Sequence, residues 1–101
     1  MKLWRVSQSE NTNYDTYDSF VVASMDEETA RLYAPSYNQF ADKYIEGQNG
    51  WVNYEGTYTT KAGYSYSSWA PSVYHVDVKY VGEASSELQE GEIVCASFNA
   101  G

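Results

Sequence analysis

The chain has 101 residues, 14 of them acidic and 6 basic, giving a net charge of −8. A length of this order supports one hydrophobic core, and so acidic a surface repels a phosphate backbone, so a single domain (1–101) without direct nucleic-acid binding is expected. No run approaches the roughly 18 apolar residues of a membrane span, and Met1-Lys2-Leu3-Trp4-Arg5 lacks the apolar stretch of a signal peptide, so neither membrane insertion nor secretion is expected.

Two compositional features narrow the reading further. The lone cysteine, Cys95, cannot form an internal disulfide; in the apolar run Ile93-Val94-Cys95-Ala96 it reads as a small buried hydrophobe, which favours the cytoplasm. Aromatic residues are abundant, with 11 Tyr, 3 Trp and 3 Phe, more than one small core encloses. Some must face outward, either as interface residues with a polar handle or as ordinary strand residues in a sheet-rich fold.

In chain order, residues 2–7 have strand propensity and are broken by the polar cluster 8–13, and 19–24 form a short β-branched run typical of a buried strand. A helix is expected over 26–33. Ser24 and Glu27 have capping-box spacing, Asp26 is a competing cap, acids crowd the first turn, and Pro35 stops the run. Tyr37, Phe40, Ala41, Tyr44 and Ile45 then recur at helical spacing, so a second helix is one reading of that stretch. The Gly-, Asn- and Tyr-rich segment 48–68 reads either as an irregular lobe or as a hairpin pairing 51–54 with 57–60. After a turn at 69–72, strands are expected over 76–81 and 92–98, joined by the acidic connection 82–91. The order β-β-α-lobe-β-β implies an α+β fold: a small, mostly antiparallel sheet with one helix packed on a face and a Tyr-rich inserted lobe. The apolar alternation of 93–98 further predicts that the last strand is buried, with Phe98 anchoring its end in the core.

The sequence offers little toward catalysis. Nucleophilic chemistry would depend on His75, the only histidine, which also reads as a structural residue at a strand start. One Cys and one His do not make a standard zinc site, no phosphate-binding glycine motif occurs, and no catalytic residues, metal or cofactor are expected. Asp15 and Asp18, flanking Tyr17, have the makings of a carboxylate pair for acid–base work, though a solvated turn is the favoured account of them. The acids Glu83, Glu87, Glu90 and Glu92 would imitate phosphates or simply solvate a face.

Two blocks resemble a known family. They are Tyr14-Asp15-Thr16-Tyr17-Asp18-Ser19-Phe20-Val21-Val22-Ala23, leading into Asp26-Glu27-Glu28-Thr29-Ala30-Arg31, and residues 76–84 followed by 91–101 with the ending Phe98-Asn99-Ala100-Gly101. They are similar to a family of small proteins carried by tailed phages and prophages, in which a YDTYDS block and an ASFNAG ending recur. The resemblance covers about half the chain, leaves 48–68 outside it, and brings no catalytic residues. It implies a phage setting. The resulting expectation is a non-enzymatic accessory protein, working in the host cytoplasm, that binds and inhibits a host or defence-system protein in the manner of an anti-CRISPR. Its contacts are expected from Tyr14, Asp15, Tyr17, Asp18, Trp51, Tyr54, Tyr58, Tyr64, Tyr66 and Trp69. The alternative is a homo-oligomer that captures a small ligand such as a signalling nucleotide by stacking, a sponge rather than an inhibitor; the scarcity of Lys and Arg argues against a phosphorylated ligand.

Overall fold

A computed structural model of the chain describes residues 1–10, 12, 16–36, 39–45, 50–52, 69 and 73–99, with the backbone alone described at 44, 45, 50–52 and 99. Its main feature is a four-stranded antiparallel sheet built from β1 (Lys2–Ser7), β2 (Thr16–Ser24), β6 (Asp77–Glu83) and β7 (Ile93–Asn99), in the order β6-β1-β2-β7. Between β2 and β6 lie the short helix α1 (Glu27–Arg31) and a smaller antiparallel sheet, β3 (Tyr33–Ala34), β4 (Asp42–Ile45) and β5 (Gly50–Val52) in that order. The described part is thus a mostly antiparallel fold with one short helix.

Side-chain alternation decides which face of the main sheet is covered. Trp4 and Val6 of β1 stand opposite Val22 and Phe20 of β2, and all four are buried. Ala30 of α1 closes over this face together with Tyr33, Ala34, Ala41, Trp69, Val73 and Val76. Full burial of each large apolar side chain contributes about 1.5–3 kcal/mol, so Trp69, Phe20, Val6 and Val22 form the energetic centre. The indole of Trp4 reaches the rim of the core, where its Nε1 donates to the carbonyl of Ser24 at 3.1 Å.

The helix is shorter than the sequence implies, and Asp26 rather than Ser24 caps it. Asp26 Oδ1 accepts from the Thr29 amide at 2.8 Å, while Ser24 Oγ instead donates to the Asp26 carbonyl at 3.2 Å. Five residues form too small a helix to persist by propensity. Packing of Ala30 and a 2.7 Å bond from Arg31 Nη1 to the Val76 carbonyl hold it against the start of β6. Tyr33, expected as the last helical residue, instead begins β3.

Among the described residues 39–45 the second helix does not form, and 42–45 is strand β4. Tyr, Phe and Ile suit strands as well as helices, and tertiary partners settle the choice. Phe40 bridges to Glu92, the Ala41 amide donates to the Gly91 carbonyl at 2.8 Å, and the Ile93 amide donates to the Gln39 carbonyl at 2.8 Å, which takes one donor and one acceptor that a helix would use internally. Of the lobe, only 50–52 is described: these residues pair with β4, and the remainder of 48–68, including the hairpin partner 57–60, lies outside the described residues.

The last strand also departs from expectation. β7 lies at the edge of the main sheet rather than within it, so Cys95 is exposed and Phe98 keeps 40% of its surface in solvent. An alternating apolar sequence does not distinguish a central strand from an edge strand, because the same side chains serve one covered face in either place. Phe98 anchors the strand only partly, by packing edge-on against Tyr17 with ring centroids 4.7 Å apart.

Candidate functional site

The residues expected to make contacts separate into three groups. Tyr14, Asp15, Tyr54, Tyr58, Tyr64 and Tyr66 lie outside the described residues, as does the side chain of Trp51, whose backbone stands in β5 opposite Tyr44. Tyr17 and Trp69 are placed in the core, and Trp69, with no exposed surface, meets Phe20 edge-on at 5.3 Å. Their rings serve internal packing in this fold. Asp18 alone among the described candidates presents its side chain to solvent.

Asp18 sits at an irregularity that links it to β7. Tyr17 pairs with Phe98 and Ser19 with Ser97, so Asp18 is an extra residue on β2, a bulge. A second bulge falls on β7 itself: Val21 pairs with Cys95 and Val22 with Ile93, leaving Val94 over. Bulges re-aim side chains, and here Val94 is turned out with 49% of its surface exposed. The Gln8 side chain holds the Asp18 corner, donating from Nε2 to the Tyr17 carbonyl at 2.8 Å while its amide donates to the Asp18 carbonyl at 3.0 Å.

Beyond the Gln39 contact at Ile93, the outer edge of β7 has no strand partner among the described residues, and residues 94–98 are all exposed. A free edge presents a row of backbone donors and acceptors, and proteins ordinarily protect such edges with charge, proline or distortion. The opposite edge follows that rule, since β6 carries Asp77, Lys79 and Glu83 and bulges at Val81. β7 (Ile93–Asn99) carries no charge and no proline. Its side chains therefore leave the edge open to another strand.

Sequence reasoning did not place this edge among the contact residues, because the final strand read as interior. The signal that pointed to it is the lack of charge across residues 93–99 in a chain of net charge −8. Elsewhere the exposed large apolar residues are scattered: Met25 follows β2 with 62% of its surface exposed, and Tyr74, on the single turn of 3-10 helix Val73–His75, is 88% exposed. Tyr80 leans edge-on against Trp4 at 5.8 Å and donates from its hydroxyl to Glu83 Oε2 at 2.7 Å, which raises its pKa.

Among the described residues, no group of three or more His, Cys, Asp or Glu side chains is placed to hold a metal ion, and no helix is long and apolar enough to cross a membrane. The described acids that carry fixed hydrogen bonds serve structure. Glu90, the clearest case, accepts from the Met25 amide through Oε1 and from the Tyr33 hydroxyl through Oε2, both at 2.8 Å. Burial, reinforced by Glu90, pushes the Tyr33 phenol well above its usual range. Set against protein-family models, curated proteins and solved structures, the chain matches none.

Proposed function

We propose that the protein is a non-enzymatic binding module, a phage-type accessory protein that engages and inhibits a host or defence-system protein in the bacterial cytoplasm. The observation that carries this reading is the open, uncharged edge of β7, flanked by Asp18 at one end and by the exposed Val94 at the other. An extended segment of a partner adds to such an edge through main-chain hydrogen bonds, and alternate side chains then confer selectivity. Phe98, half out of its packing against Tyr17, supplies an aromatic anchor, the residue type that dominates interface energetics. In this reading the Tyr-rich stretch 48–68 supplies further contacts to the partner.

The reading is tested by affinity capture from host lysates with the wild-type chain and with Val94→Lys. A stoichiometric host protein held by the wild type and lost by the variant, at unchanged melting temperature, is the expected result. A partner held equally by both chains would remove β7 from the interface.

A further inference from the structure

The open edge of β7 also fits a second copy of the chain. We infer that residues 95–99, the regular run beyond the Val94 bulge, pair antiparallel with the same run of a second copy about a two-fold axis at Ser97, joining the two four-stranded sheets into one. The inference rests on the same open edge as the proposed function and names a second occupant for it.

Charge carries the argument. Self-pairing sets a strand against its own sequence, so any charge near the axis meets its copy, and like charges directly opposed are destabilising. β7 has none between Ile93 and Asn99, whereas antiparallel self-pairing of β6 about its centre, Tyr80, would set each Asp77 against Glu83 of the other copy. The acid that borders the run is Glu92, and the antiparallel arrangement sends it away from its counterpart. Ten residues of strand separate the two Glu92 positions, about 33 Å, several times the Debye length of about 8 Å at physiological salt. Asp18, one strand further in, is held about three strand spacings from its copy, about 14 Å. Parallel pairing would instead set Glu92 beside Glu92.

Packing agrees with this register. Ala96 pairs with the buried Phe20 and Phe98 with the buried Tyr17, so Ala96 and Phe98 share one face of the sheet, at its exposed margin. With the axis at Ser97, Phe98 of each copy falls opposite Ala96 of the other, large against small. Each exposed Phe98 ring would gain the cover it lacks in the single chain.

The test is charge exchange at the axis, by sedimentation equilibrium in the presence of a reductant so that Cys95 cannot cross-link. The wild type is expected to approach twice the chain mass as concentration rises. Ser97→Lys and Ser97→Glu, each at an exposed position, are expected to remain at the chain mass when alone and to return to twice that mass when mixed one to one. Circular dichroism melts of both variants confirm that the fold is kept. A wild type that stays at the chain mass throughout, or a doubled mass that persists in each variant alone, overturns the inference. In the first of these cases the proposed function stands if Val94→Lys still releases a host protein; if the mixed variants dimerise but no host protein depends on Val94, the proposed function falls and the self-pairing holds.

Discussion

Replacing Trp69 with alanine removes the largest fully buried side chain described in the fold. The indole meets Phe20 edge-on at 5.3 Å and closes the covered face of the main sheet between β2 and the turn at Val73–His75. Truncating a buried Trp costs about 3–5 kcal/mol, because the transfer energy is lost and the cavity only partly collapses. A domain of this size holds about 5–15 kcal/mol in all. At about 4–8 °C per kcal/mol, the melting temperature should fall by at least about 12 °C. Trp69→Phe, which keeps an aromatic ring against Phe20, should lose markedly less. Thermal melts followed by far-ultraviolet circular dichroism decide the matter. A Trp69→Ala chain that melts within a few degrees of the wild type would show that Trp69 lies outside the core, and would return it to the surface role its sequence context suggests.

Three further outcomes follow from particular contacts. Gly91 has φ +83°, and a Cβ there would stand 3.2 Å from the Tyr33 ring, so Gly91→Ala should cost about 1–2 kcal/mol from the left-handed backbone alone, read as a lower urea midpoint. Tyr33 is held protonated by burial and by its bond to Glu90, so its folded pKa lies above its unfolded value of about 10. Its contribution is fully present below that pH and is lost as pH rises, so urea midpoints between pH 8 and 11 should fall more steeply for the wild type than for Tyr33→Phe; equal slopes would refute the assignment. Phe98→Ala should cost about 1 kcal/mol, the order of an edge-to-face pair, rather than the loss of about 3 kcal/mol or more expected of a fully buried aromatic; a larger fall in melting temperature would mean that the end of β7 is more enclosed than its exposure indicates.

The strands were legible wherever apolar alternation or a β-branched run left little choice: residues 2–7, 19–24, 76–81 and 92–98 lie in or beside β1, β2, β6 and β7. Helix position was legible from Asp26 and the acids after it, whereas its length was not, because Tyr33 is taken by the small sheet. The stretch 37–45 has helical spacing and strand composition together, and the Gly91 and Ile93 backbones that decide between them lie some fifty residues away. Neighbour order in a sheet is a long-range property, which is why β7 read as interior and Cys95 as buried. For the same reason aromatic content alone does not separate Trp69 and Tyr17 in the core from Phe98 at the rim.

The central claim, that β7 is a protein-binding edge, is tested most directly by placing a photo-reactive amino acid at Ser97 in the edge and, as a control, at Glu87 in the exposed connection between β6 and β7. On irradiation in host lysate, the account predicts a discrete protein adduct from position 97 and none from position 87, with a product of twice the chain mass marking self-pairing and any other mass a host protein. No adduct at position 97, or equal adducts at both positions, would contradict it.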